Sequence, residues 1–403
     1  MQETFDQLTA TPVRRFPLSC PALLTFCVAA MLHGQSFPSG STGADGNLIA
    51  NTGVTTFTAA PVGGGSVYNF NTIQIAPGST LKLSGAAFPG PLYFLAQGAV
   101  TVGGTIDLSG QSGSVPTTPA QRTGPTIPGP GGYGGGAASF AGNPALAGLG
   151  PAGGAVNLNN CGIGAGGGGF TGNQFLVPLV GGSGGGGNAG SGGAGGGALL
   201  IASSVSITVT GTITANGGNG NSASGGGGGG GVRLVAPVIA GTGGTITTAG
   251  GGGSSGSGFD AGGCGGANGI VRLESFQNTF TGSTSGNLYL ANPFSLFIPA
   301  STAQPSLIVT SIGGVAVPSN PTGSFVVPDA VVNSSSPLTV NIQASNIPLG
   351  TIPTVYFSTE NFPDQKIAAN AGLAGTLASS TTTATVTLNP GYSIGFITAT
   401  WVQ

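Results

Sequence analysis

Charge is what this chain has least of. Seven Lys and Arg stand against nine Asp and Glu in 403 residues, 4% of the sequence and a formal net charge of −2, where roughly 25% charged residues is usual for a globular domain. With no basic stripe to neutralise phosphates, nucleic acid loses the electrostatic attraction that dominates its binding. Histidine is nearly missing too: His33 is the only one, and it lies in or beside an N-terminal export-type segment. A mature chain without it has no Ser-His-Asp or Cys-His catalysis and no histidine-bearing zinc site. No Gly-Lys-Ser or Gly-Lys-Thr occurs, so the glycine runs are not a phosphate loop.

The export reading rests on Arg14 and Arg15 ahead of an apolar run from Phe16 to Leu32. Pro17 and Pro21 make that run a poor membrane span. Val28-Ala29-Ala30 offers a small-residue cleavage pattern, which starts the mature chain between Met31 and Ser36 and makes residues 1–35 a signal peptide. Neither Cys20 nor Cys27 has the context of a lipidated cysteine. Cys161 and Cys264 then remain, and an oxidising compartment permits them to form a disulfide. Such a bridge closes a loop of roughly 100 residues, worth about 4–5 kcal/mol in the chain-entropy picture.

Glycine is what is there instead, 82 residues of it, alongside 39% hydrophobic residues. Low charge with that much apolar content is not the composition of a disordered chain. Between Ser36 and Pro293, apolar residues alternate with polar ones: Ile73, Ile75, Leu81 and Leu83 share odd parity, Val100, Val102, Ile106 and Leu108 even parity, and Val205, Ile207, Val209, Ile213 and Ala215 again hold one parity. Period two means strands with one face inward.

The unit Gly-Thr-Ile recurs at Gly104, Gly211 and Gly244, each preceded by a companion strand, and Val232-Arg233-Leu234 is echoed by Val271-Arg272-Leu273. Units this small bury their apolar faces by stacking. The expected architecture for 36–293 is therefore a parallel β-solenoid (β-helix) with glycine-rich insertions. Runs such as Gly225 to Gly231 read as loops bulging from it, with Thr123 to Gly197 the largest insertion. From Phe294 glycine thins, and short strands bounded by Pro, Gly and Asn predict an immunoglobulin-like β-sandwich over 294–403, with Trp401 in its core and without a Cys-Trp-Cys signature. The fold class is all-β throughout.

The run from Leu95 to Gly110, Leu-Ala-Gln-Gly-Ala-Val-Thr-Val-Gly-Gly-Thr-Ile-Asp-Leu-Ser-Gly, resembles the repeat of glycine-rich exported bacterial proteins of adhesin-like β-helix type. The likeness extends over residues 44 to 275. It implies a surface or extracellular location and a stacked architecture rather than an activity.

Residue chemistry offers few alternatives. Gly-x-Gly-x-x-Gly matches arise by chance in so glycine-rich a chain. Asp260 alone does not make a calcium roll. Asp107 could meet Arg233 or Arg272 on one face if strands align, as in a polysaccharide-degrading site, although a structural ion pair is the simpler outcome. Glu360 and Asp364 flank Pro363 in a loop where solvation is simpler than calcium binding. Tyr68, Phe70, Tyr93 and Phe94 form either core or a carbohydrate-stacking platform. Outward Thr208, Thr210, Thr212 and Thr214 would suit ice or a mineral surface only in a flat array, against which the irregular repeat lengths argue.

The expected function is that of a non-catalytic exported surface or extracellular structural or adhesin-like protein, with a carbohydrate-binding or polysaccharide-degrading protein as the alternative. No catalytic, cofactor or metal residue is assigned and no cofactor is expected. The expected partners are extracellular polysaccharide or a surface protein, with no nucleic acid and no stable membrane span after processing.

Overall fold

The computed structural model describes residues 35–115, 123–140, 142–156, 164–254, 262–294, 296–298, 305–318, 321, 328–334, 336–359 and 362–401. The chain divides into two units, Met1–Ser36 and Phe37–Gln403, and the second holds nearly all of the described residues. The export-type segment lies outside them. No helix occurs among the described residues.

Seventeen strands build the first part. They are β1 (Gly46–Ala50), β2 (Gly53–Thr56), β3 (Val67–Ile75), β4 (Ser79–Lys82), β5 (Leu92–Ala96), β6 (Val100–Val102), β7 (Thr105–Asp107), β8 (Ala198–Ser203) and β9 (Ser206–Val209). There follow β10 (Thr212–Thr214), β11 (Gly231–Val235), β12 (Val238–Gly241), β13 (Thr245–Thr247), β14 (Ile270–Glu274), β15 (Gln277–Phe280), β16 (Ser283–Ser285) and β17 (Asn287–Ala291). The main sheet runs β15-β12-β9-β6-β3-β5-β8-β11-β14-β17, ten parallel strands curled into a half-barrel, with β1 beside β3. A second parallel sheet runs β16-β13-β10-β7-β4-β2. Apolar residues of matching parity fill the space between them: Leu199 and Ile201, Val232 and Leu234, Ile207, Ile213 and Ile246 are wholly buried. Full burial of such a side chain contributes about 1.5–3 kcal/mol.

This arrangement corrects the expected β-solenoid with a following immunoglobulin-like sandwich. Gly98 separates β5 from β6, Ser204 and Val205 separate β8 from β9, and Pro237 breaks the strand between β11 and β12. From Val67 to Ile75 there is neither Gly nor Pro, so β3 runs through the corner and pairs with β5 along one half and β6 along the other. What would have been two separate faces is thereby one continuous sheet.

The glycine runs are the second correction: they are packed interior, not bulging loops. Ser183 donates its N–H to Gly169, Gly184 to Leu149 and Gly185 to Gly193, at 2.9–3.0 Å; Gly186 and Gly187 then return to the first two neighbours, at Gly166 and Leu146. A neighbour that recurs every third residue, with no bond inside the segment, is the signature of polyproline II geometry. Gly193 and Gly196 reach Gly225 and Gly228 by the same three-residue step, and Gly226 and Gly229 reach Cys264 and Ala267. Residues 181–187 and 191–202 are buried without interruption. Extended glycine segments thus satisfy their backbone groups on one another, which is how a buried segment outside any ladder escapes the penalty for unpaired N–H and C=O groups. Leu176, Leu179 and Phe170, from the segment that leads into this bundle, pack with Phe37 on the outward face of β5, β8, β11 and β14, and so these strands are buried on both sides.

Beyond residue 305 lie β18 (Ser306–Ile312), β19 (Val315–Ala316), β20 (Leu338–Ser345), β21 (Thr354–Thr359), β22 (Gln365–Ala368), β23 (Ala374–Thr376), β24 (Ser379–Val386) and β25 (Ser393–Thr398). They form two small antiparallel sheets, β19-β18-β20-β24-β23 and β22-β21-β25. Alternation along β20 buries Val340 and Ile342 against Val355, Phe357, Ala384 and Val386. The expected strand at Phe325 to Val327 lies outside the described residues, and Trp401 packs half-buried against Ala344, Ile347 and Leu373 rather than at the centre.

Candidate functional site

The parallel register decides where the few charges go. Pairing of β11 with β14 sets Arg233 beside Arg272, and like charges directly opposed are unfavourable. Glu274, two residues on and hence on the same face, resolves the conflict. Its Oε1 accepts from Arg272 Nε at 2.6 Å and from Arg233 Nε at 2.8 Å, and its Oε2 accepts from Arg233 Nη2 at 3.2 Å. Arg272 also donates to the Gln174 carbonyl at 3.1 Å. Phe294 lies 4.6 Å from the Arg233 guanidinium and 5.4 Å from that of Arg272, and Phe175 lies 5.3 Å from Arg272. Arg233 and Glu274 are wholly buried, and Arg233 Nη1 has no hydrogen-bond partner. Burial raises the Tyr93 phenol to about 12, with the Arg233 charge working against it; this ring stays neutral in the same wall.

The expected meeting of Asp107 with Arg233 or Arg272 does not occur. Asp107 sits on the second sheet and pairs with Lys82 at 2.6 Å. Burial pushes its carboxyl up, but hydrogen bonds from Lys82 and Ser109 hold it below the ordinary carboxylate value. A lowered folded-state value means that the pair stabilises above the unfolded carboxylate pKa of about 3.9 and that this contribution is lost as pH falls through and below it. Lys82 is half exposed, so Asp107→Asn is expected to cost at most about 1 kcal/mol at pH 7. Thermal melts of both proteins should differ at pH 7 and converge towards pH 3.

The aromatic residues are core and not a sugar platform. Tyr68, Phe70 and Phe94 interlock with Phe57 and Phe88 at centroid distances of 5.3–6.4 Å, and Tyr93 is buried in a cluster with Phe37, Leu176 and Leu179. Asp364 accepts from the Thr359 N–H at 3.2 Å; Glu360, Asp260 and Arg122 lie outside the described residues. Among those residues no group of three or more His, Cys, Asp or Glu is placed to hold a metal ion, and no helix is long and apolar enough to cross a membrane. Cys264 is disulfide-bonded; Cys161 lies outside the described residues.

What reaches the surface in order is hydroxyl. In the second sheet, Thr80, Thr105, Thr212, Thr245 and Ser283 stand in one column, and Lys82, Asp107, Thr214, Thr247 and Ser285 in the next. Rungs of a parallel sheet lie about 4.8 Å apart and same-face residues about 6.6 Å along the strand. The core-facing residues between the two columns, Leu81, Ile106, Ile213 and Ile246, are anchored in the interior. Neighbouring groups steady the ladder. Thr245 and Ser283 hydroxyls lie 3.1 Å apart, Ser109 and Thr214 hydroxyls 2.9 Å, and Thr247 donates to Asn216 Oδ1 at 2.7 Å. The irregular repeat lengths leave this register intact, because the surplus chain is taken up by the glycine bundle. The repeated Gly-Thr-Ile already marked Thr105, Thr212 and Thr245 as members of one stacking unit; the register adds Thr80 and Ser283, which lie in no such repeat.

Comparison with protein-family models, with curated proteins and with solved structures finds no match.

Proposed function

We propose that the chain is a non-catalytic exported protein, acting at the cell surface or outside the cell as a structural or adhesive element, with the hydroxyl ladder as its contact face. The observation that carries this reading is the ladder itself: a periodic surface whose single ion pair, Lys82 with Asp107, leaves it without net charge. Each further hydroxyl adds a hydrogen bond worth about 0.5–1.5 kcal/mol to a repeating partner. The pairing of Lys82, Arg233 and Arg272 with carboxylates supports it, since those cations serve the fold. The export-type N-terminus supports the location.

The test is retention of the purified chain on arrays of neutral and acidic polysaccharides, with products assayed in the same wells. Retention without cleavage, reduced at least tenfold by Thr212→Val with Thr245→Val, is expected. Cleavage, or retention indifferent to both substitutions, would overturn the reading. The regular register of the ladder also favours a crystalline surface as a second reading, and thermal hysteresis in freezing solutions is its readout.

Export also makes a Cys161–Cys264 disulfide part of the proposal. The Cys264 N–H donates to the Ala165 carbonyl at 2.9 Å, four residues along the chain from Cys161. Peptide mapping without reductant should recover the two cysteines in one linked fragment. Two free thiols in the secreted chain would contradict it.

A further inference from the structure

The stack of parallel strands is closed at one end and open at the other. At the first end, the rings of Phe57, Tyr68 and Phe88 cover the core. At the second, the core column Val232 and Leu234, then Val271 and Leu273, continues in register into Leu288 and Leu290 of β17. Val271 and Leu273 are 0% and 2% exposed, whereas Leu288 and Leu290 are 43% and 61% exposed. Among the described residues the core column therefore ends on two half-exposed leucines. Among the described residues β15, β16 and β17 each have a strand on one side only. Edges of this kind are ordinarily blunted by charge, proline or a bulge. Residues 275–291 contain no charged residue and no proline, and the pairing of β15, β16 and β17 with the layer beneath shows no register shift.

We propose that this end pairs with the same end of a second copy to form a two-fold dimer. The occupant follows from charge and from shape. A charged partner would lose its hydration against an end that offers no counter-charge, whereas a twin brings an equally neutral end. Its three edge strands have the same lengths, and its two leucines are equally uncovered. The opposite end of the molecule does not match, because it is already closed by aromatic rings and carries the Asp45 carboxylate, which accepts from Val62 and Asn69 N–H groups at 2.6 Å. End-to-opposite-end filaments are thereby disfavoured against an isologous pair. Edges brought together by a two-fold axis perpendicular to the layer stack run antiparallel, the arrangement in which inter-strand hydrogen bonds are straightest.

Sedimentation velocity of the purified chain across a micromolar concentration series tests this. A monomer–dimer equilibrium is expected, weakened at least tenfold by Leu288→Thr with Leu290→Thr, since Thr keeps strand preference and both sites are exposed. Should that variant fail to fold, Thr279→Lys places a charge on exposed β15 outside the core columns and should have the same effect. A chain that stays monomeric throughout the series, or a dimer indifferent to the folded variants, would overturn the proposal.

Discussion

Gly195→Ala is expected to destabilise the protein by about 3 kcal/mol or more, at the upper end of what overpacking costs. A methyl group there would lie far inside contact distance of the Gly182 carbonyl, and the colliding atoms are backbone, with no flexible side chain to yield. Gly195 itself is pinned, donating to Tyr133 at 2.9 Å and accepting from Gly129 at 3.1 Å. Gly252→Ala provides the contrast. Its new methyl would meet only Asn219 Oδ1, at 3.5 Å, on an exposed segment. Removing glycine from the unfolded chain there should leave stability unchanged or raise it by about 0.4–1 kcal/mol. Urea unfolding of the two variants reads both effects, and equal, near-zero shifts would mean that the glycine segments do not pack.

Glu274→Gln is expected to cost about 3–5 kcal/mol, the penalty for stripping a buried charge of its partner. The substitution keeps shape and volume but leaves Arg233 and Arg272 adjacent with no carboxylate between them. Arg272→Met should cost less than half as much, because the remaining Arg233–Glu274 pair is balanced and Phe175 and Phe294 can pack on the methionine. Denaturant midpoints for the two variants decide this. A Glu274→Gln loss below that of Arg272→Met would show that the carboxylate is not what holds the cluster.

Much of the first part was legible as strands because alternation and burial share one period: Ile106, Ile213 and Ile246 announce themselves, and the Gly-Thr-Ile echo marks strands that prove to be neighbours. The continuity of β3 was harder to read, since it depends on the absence of a breaker between Tyr68 and Ile75. The glycine bundle was not legible at all. Its period is three, but it is a period of contacts made by backbone atoms, and a run of identical residues displays no pattern by which neighbours could be assigned. Asn216 shows the same difficulty: its side chain accepts from Thr247 and from the Ala249 N–H at 2.7–2.8 Å, bonding the next layer in a way that no local motif records. In the candidate site, the echo of Arg233 by Arg272 was visible, yet the choice of Glu274 over Asp107 followed only from register.

The glycine segments are a hydrogen-bonded part of the fold that holds the strand layers, and with them the hydroxyl ladder, in fixed register. Amide hydrogen exchange resolved to fragments within 181–197 and 225–231 tests it most directly. Protection there comparable to that of β8 and β11 is the predicted result, because the N–H groups of these segments are buried and bonded to neighbouring carbonyls. Exchange at the rate of an unstructured chain in those fragments, with β8 and β11 still protected, would contradict it.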